Sequence, residues 1–288
     1  MLDLTLGIDP SQLRSAATWA DNAYSSCTIC PENCGVDRHK GELGFCGLGK
    51  DAHVYKEYLH FGEEEVLTPS HTIFLSGCNF RCAFCSDLAP VKEPLKHGMT
   101  VEPKVLAQRI AKRRNQGATN VNFVGGLPDV NLLFILNTLT HCPPDTHVVF
   151  NTNLWTTSEV MTKLDGIVGT WLVDYKFGSD KCARKLAGVS GYTAHINRLL
   201  EQLRDSNRGN LLLRHLIMPG HFDCCTVPVF EWLHQHLPNA MLNIMSAYSP
   251  FAMAGSKGPM SKGPIREDVN KSRRLADELG LRYMFDGR

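Results

Sequence analysis

The chain has 288 residues, 43% of them hydrophobic and 20% charged, with a formal net charge of +1. That length suits one large domain, or one with a small appendage, and the neutral balance gives no global field for nucleic acid or an acidic membrane surface. The opening MLDLTLGIDPSQLR lacks the basic-then-apolar order of a secretory signal, and the longest apolar runs, such as VNLLFIL at 130–136, are too short to span a bilayer, so a cytoplasmic protein is expected.

Asp9 and Pro10 read as the N-cap and first residue of a helix that carries Leu13, Ala17, Ala20 and Tyr24 at helical spacing. Residues 27–50 are rich in Gly, Pro and Cys and have no periodicity, which predicts a segment organised by a metal. HVYKEYL is one strand candidate in the connector over 51–70. From residue 71, short apolar runs alternate with amphipathic segments. Strands are predicted at 71–77, 120–126, 147–153, 169–176, 211–218 and 240–248, and helices at 101–116, 131–140, 157–164, 193–206, 227–236 and 268–279.

The strand starts recur about every 34 residues, the length of a βα unit with a right-handed crossover. A full eight-stranded barrel takes about 250 residues, and the stretch 71–288 is shorter. The expected fold is therefore α/β, a partial (β/α)6 barrel, with LRYMF at 281–285 offering one more strand. The expected division is 1–70, the helix and cysteine-rich metal-binding segment, and 71–288, the barrel. The stretch AMAGSKGPMSKGPIR at 252–266 reads as a mobile loop.

Eleven cysteines, an odd and clustered set, argue against a secreted disulfide framework. Cys27, Cys30, Cys34 and Cys46 offer four thiolates and hence a closed site, zinc or iron-sulfur. Cys78, Cys82 and Cys85, spaced CxxxCxxC, offer only three. Cys142 and Cys182 have no spaced partner and read as small core or surface residues. The adjacent Cys224 and Cys225 follow the fifth-strand loop, where a substrate contact or radical relay is one reading; His215 and His221 flank that loop as pocket or structural residues.

In βα barrels the chemistry gathers at the C-terminal ends of strands. There the sequence puts Gly125 and Gly126, Asn151 and Asn153, Asp174 and Lys176, and Tyr248. With CxxxCxxC, Phe84 before its last cysteine and the Gly-Gly pair, the chain resembles the radical S-adenosylmethionine (SAM) superfamily. More narrowly, CTICPENCGVDRHKGELGFCG, GCNFRCAFC, NTNLW, DYKFGSD, RHLIMPGH and DCC resemble the pyruvate formate-lyase activating-enzyme-like iron-sulfur proteins.

The resemblance implies that Cys78, Cys82 and Cys85 hold a 4Fe-4S cluster, with SAM on the fourth iron. It implies reductive cleavage of SAM to a 5'-deoxyadenosyl radical and hydrogen abstraction from a protein, peptide or small-molecule substrate, with flavodoxin or ferredoxin as reductant. It assigns Gly125, Gly126, Asn153, Asp174, Lys176 and Tyr248 to the SAM pocket. The usual acidic residue after Gly-Gly is here Leu127, with Asp129 two residues on. That departure motivates a rival reading, a non-catalytic iron-sulfur or zinc protein on the same scaffold. Nucleic-acid modification is disfavoured by the neutral charge.

Overall fold

The computed structural model describes residues 2–62, 64–206, 208–253, 257–263 and 266–288. Its strands are β1 Val54–His60, β2 Ser70–Leu75, β3 Asn120–Gly125, β4 Val148–Thr152, β5 Thr170–Asp174, β6 Asn210–Leu216, β7 Met241–Met245 and β8 Tyr283–Phe285. They form one eight-stranded sheet in chain order. β1 lies antiparallel to β2, whereas β2–β3, β3–β4, β6–β7 and β7–β8 are parallel. The six predicted strands appear as β2 to β7, and the two tentative segments supply β1 and β8.

The α-helices are α1 Pro10–Ala23, α2 Leu88–Lys92, α3 Pro103–Asn115, α4 Leu132–Leu139, α5 Ser158–Leu164, α6 Asp180–Ala187, α7 Tyr192–Ser206, α8 Val227–His236 and α9 Arg266–Glu278. α2 and α6 were not expected. α6 is short, but its ends are well marked: the Ser179 hydroxyl accepts from the Cys182 N–H, and Gly188 takes the left-handed conformation after its last turn. Of the predicted 252–266 loop, residues 254–256 and 264–265 lie outside the described residues. The rest includes short 3-10 turns at Phe251–Met253 and Pro259–Ser261. Among the described residues, no helix is long and apolar enough to cross a membrane.

The chain divides into two compact units. The first comprises Met1–Asn79, Ala89–Trp171 and Ser206–Asn210; the second comprises Phe80–Leu88, Leu172–Asp205 and Leu211–Arg288. In the first, Asp9 caps α1 by accepting from the N–H groups of Ser11 and Gln12 at 2.8 and 3.2 Å. α1 packs on α4 and α5 and buries Leu13, Ala16 and Ala20. α4 is apolar almost all round, which suits a helix covered on every side. The N-terminal segment is tied in further by the Ile8 N–H to the Pro144 carbonyl at 2.6 Å.

In the second unit, β6 and β7 bury Leu212, Leu213, Leu242 and Ile244 alongside Phe230 and Leu233 of α8. A π-helical turn, Phe222–Thr226, leads from the β6 loop into α8. His215 on β6 is fully buried, with Nδ1 2.8 Å from the Tyr175 carbonyl and Nε2 3.0 Å from the Thr226 hydroxyl. A carbonyl only accepts, so Nδ1 carries the proton and Nε2 accepts from Thr226. Burial pushes this imidazole down to about 4. His215 is thus a neutral structural histidine.

Candidate functional site

The four N-terminal cysteines lie on turns of the first unit, three of them buried and Cys34 exposed. Gly35 and Val36 turn the chain back so that the Cys27 N–H meets the Val36 carbonyl and the Gly35 N–H meets the Cys27 carbonyl, both at 3.0 Å. Three sulfurs accept from the backbone N–H two residues on: Cys27 from Ile29, Cys30 from Glu32 and Cys46 from Leu48. Amides aimed at sulfur favour thiolate over thiol. Gly44 leaves room here: a Cβ on it would stand 3.3 Å from the Cys34 sulfur, a tight contact, and 3.5 Å from that of Cys46.

Burial pushes the Cys27 and Cys46 thiols up, while the nearby Arg38 guanidinium pulls both back. Burial likewise drives Cys30 up to about 12. Arg38 is 1% exposed, lies 3.9 Å over the Tyr24 ring, and donates to the Gly49 and Val130 carbonyls at 2.8 and 2.9 Å. Its Nη1 is buried without an oxygen or nitrogen partner, and the Cys27 sulfur is the acceptor beside the guanidinium. A buried guanidinium N–H is costly unless served, and a thiolate serves it better than a thiol. These residues therefore fit a metal centre of thiolate character.

The same cysteines border the first cysteine of the second motif. Cys78 is buried in the first unit, just beyond β2. The side chain of Asn79, next to it, donates to the Cys30 sulfur and to the Trp155 carbonyl at 2.7 Å, and it accepts from Asn153 at 3.2 Å. Trp155 in turn donates its indole N–H to Glu32 at 3.0 Å. Asn153, expected at the SAM pocket, is thus 4% exposed and committed to this knot. The NTNLW motif stitches β4 to both cysteine segments.

Gly125 and Gly126 end β3 where the chain itself leaves no room. A Cβ on Gly125 would lie 2.6 Å from the Leu75 carbonyl oxygen, and one on Gly126 only 1.9 Å from that of Gly77, the residue before Cys78. Close packing against the motif loop accounts for both glycines without a ligand. Leu127 is 3% exposed, so a carboxylate there would be buried away from water.

Asp129 does not stand open in its place. It is 1% exposed and accepts from the Thr152 hydroxyl at 2.6 Å. Burial pushes its carboxyl up from 3.8 to about 6. A raised folded-state value means that the native state holds the proton longer, so stability falls as pH rises from about 4 through 6. A shift of that size is worth about 3 kcal/mol. Asp129→Asn, which still offers Thr152 an acceptor, is expected to raise the melting temperature at pH 7.5 by several degrees. Thermal melts across pH 4 to 7 should show a flatter profile than the parent; an identical profile would contradict this account.

In the second unit Cys82 and Cys85 sit on a loop zipped to the end of α6: the Arg81 and Ala83 N–H groups reach the Ala187 and Leu186 carbonyls at 2.9 and 2.7 Å. Phe84 between them packs near Phe177 and Tyr248, with ring centroids 6.2 and 6.1 Å away. Burial drives the Cys82 thiol up to about 12, with Lys176 opposing and Cys85 and Asp174 reinforcing. Lys176 bonds Asp174 at 2.5 Å. Burial would lower that ammonium, but Asp174 and Cys82 more than offset it. The predicted Asp-x-Lys pair and two of the three motif cysteines thus come together. Tyr248, also in this unit, spends its hydroxyl on the Met260 carbonyl at 2.6 Å.

The sequence reading missed a further group. Cys182 of α6 is not an isolated small residue: its sulfur, those of Cys224 and Cys225, and a His221 nitrogen all lie within 4.8 Å of one another. All eleven cysteines are unbridged.

The family model of the radical SAM superfamily matches residues 72–233. The uncharacterized protein MJ0674 of Methanocaldococcus jannaschii is 37% identical over 284 residues, 97% of this chain and 82% of that protein. Among solved structures, a radical SAM methyltransferase from Sphaerobacter thermophilus is similar at a TM-score of 0.56 and 14% identity, over 76% of this chain and 66% of that one. Streptococcus suis SuiB, bound to precursor peptide SuiA, is similar at 0.55 and 14%, over 72% of this chain and 46% of its own length. These two share the fold, and this chain spans less than two thirds of either. With more than half its length matched by one family model, this chain belongs to the radical SAM superfamily.

Proposed function

We propose that the chain is a radical SAM oxidoreductase in which Cys78, Cys82 and Cys85 hold a 4Fe-4S cluster and leave its fourth iron to SAM. When bound, cluster and SAM supply one-electron cleavage of the carbon-sulfur bond, giving a 5'-deoxyadenosyl radical for hydrogen abstraction. The observation that carries this reading is an incomplete thiolate set inside the matched domain, with Cys82 and Cys85 beside the half-buried Asp174–Lys176 pair.

The chain's own residues bind, orient and exclude water. Lys176 supplies a held positive charge that favours thiolate at Cys82 and Cys85. Phe84, Phe177 and Tyr248 place aromatic surface against the motif loop, where it excludes water. On their positions at or after strand ends, we assign Gly125, Gly126, Asn153, Asp174, Lys176 and Tyr248 to the SAM side. The peptide named with SuiB and the likeness to activating enzymes favour an activase-like step on a protein or peptide in the cytoplasm, with flavodoxin or ferredoxin as reductant.

Cys27, Cys30, Cys34 and Cys46 hold a second, auxiliary iron-sulfur cluster in this reading. A structural zinc would serve anywhere in the fold, whereas this group adjoins Cys78: a Cβ on Gly77 would lie 3.0 Å from the Cys46 carbonyl oxygen, and Asn79 bonds Cys30. Adjacency suits an electron relay. Anaerobic reconstitution with iron and sulfide counting tests it. About eight irons per chain support two cubane clusters, and about four with zinc on the N-terminal cysteines would overturn the second.

One observation favours the rival reading. Leu127 is buried and Asp129 is covered, so the Gly-Gly turn offers the SAM ammonium no open carboxylate. A cluster that forms but never cleaves SAM is the expected result for that non-catalytic protein.

A further inference from the structure

Three thiols and one imidazole of the second unit converge on a point that neither the SAM site nor the N-terminal cysteines use. The His221 Nδ1 lies 3.5 Å from the Cys182 sulfur, 3.3 Å from that of Cys224 and 3.9 Å from that of Cys225. The Cys182 and Cys224 sulfurs are 3.4 Å apart. An imidazole nitrogen has one lone pair and can take one hydrogen, so it cannot serve three S–H donors at once. As a thiol cluster the group is poorly satisfied.

Tetrahedral zinc, with Zn–S about 2.3 Å and Zn–N about 2.0–2.1 Å, sets its sulfurs about 3.8 Å apart and a sulfur and nitrogen about 3.6 Å apart. The distances here match that scale. A disulfide needs about 2.05 Å between sulfurs, which the 3.4 Å separation is not.

The backbone is shaped for the convergence. His221, Cys224 and Cys225 stand at i, i+3 and i+4 of one coil, the spacing that brings side chains together on one face. The π-helical turn Phe222–Thr226 widens the coil there, and such turns gather at functional sites. From the other side, a Cβ on Gly178 would lie 2.5 Å from the Cys225 carbonyl oxygen, and the Gly178 N–H is directed to the Cys225 sulfur. Amide donation of that kind suits a thiolate. Lys185, one turn after Cys182, lies close enough to act on His221 and would balance the surplus negative charge of three thiolates on a divalent ion.

We propose that Cys182, Cys224, Cys225 and His221 Nδ1 form a closed tetrahedral site for one zinc ion, pinning the segment after β5 to the turn after β6. That segment begins with Asp174 and Lys176, so the ion would hold the loop that carries this pair. Binding releases thiol protons and involves no redox step.

The test uses the full chain, isolated anaerobically and reconstituted with iron and sulfide, with zinc and iron measured by plasma mass spectrometry. About one zinc per chain is expected. Cys182→Ser and Cys224→Ser should weaken its retention against a chelator by more than the ~10–100-fold typical of losing an outer partner, with iron unchanged. His221→Cys should keep the zinc and His221→Ala should lose it. Should the serine variants misfold, cobalt loaded into the reconstituted parent decides by the visible bands of a tetrahedral thiolate site. Variants that hold zinc as the parent does, a parent with neither zinc nor those bands, or a Cys182–Cys224 disulfide mapped in the anaerobic protein would each overturn the proposal.

Discussion

Cys82→Ala is expected to remove about four irons per chain and to leave the N-terminal cluster in place. The reason is arithmetic. A cluster that keeps one iron open for substrate has only three protein anchors, so losing one leaves two, too few to hold a cubane against chelation. Cys82 is also the thiol most involved with its surroundings, part-buried with Lys176 opposing its high value and Asp174 reinforcing it. Alanine removes the thiolate that balances Lys176, which keeps Asp174 and stays folded. Iron and sulfide analysis with a thermal melt reads both effects. Unchanged iron would show that Cys82 is no ligand.

The second large effect is expected from Arg38→Ala. The guanidinium joins the 3-10 turn Arg38–Lys40, between Cys34 and Cys46, to the Gly49 and Val130 carbonyls and lies on Tyr24. Alanine takes the guanidinium donor from the Gly49 carbonyl, leaves the Val130 carbonyl with the Tyr24 hydroxyl at 3.3 Å, and removes the cation beside the Cys27 and Cys46 thiolates. Losing one member of a buried charged arrangement costs about 3–5 kcal/mol. Chemical denaturation should show that loss, and the reconstituted variant should hold about four irons instead of eight. Arg38→Lys, with one point charge and no fork, is expected to recover little of it. Full stability and full iron in Arg38→Ala would contradict the role given to this residue.

Much of this architecture was legible because its signals are local. Asp9-Pro10 announced α1, and the apolar runs at β2 to β7 stood out because parallel strands are buried on both faces. Seven cysteines in two tight groups marked themselves by spacing. α6 was missed because its buried residues, Cys182, Ala183, Leu186 and Ala187, are mostly small; only Ser179 and Gly188 at its ends gave it away. The convergence of Cys182 with His221, Cys224 and Cys225 brings in a residue about forty positions away, which no local spacing encodes. Asp129 looked like a substitute for the missing carboxylate, yet the fold turned it toward Thr152. The glycines of Gly-Gly, read as room for a ligand, are needed first by the chain's own close packing at Gly77.

Cleavage of SAM separates a working radical SAM enzyme from an inert scaffold. The direct measurement is 5'-deoxyadenosine formed by anaerobically reconstituted protein given dithionite and SAM, quantified by liquid chromatography and mass spectrometry. The prediction is product and methionine in equal amounts from the parent and none from Cys82→Ala. A parent that binds its full iron, shows an intact cluster by spectroscopy and still forms no 5'-deoxyadenosine would contradict it, and Leu127 would then mark a radical SAM scaffold that has left the chemistry behind.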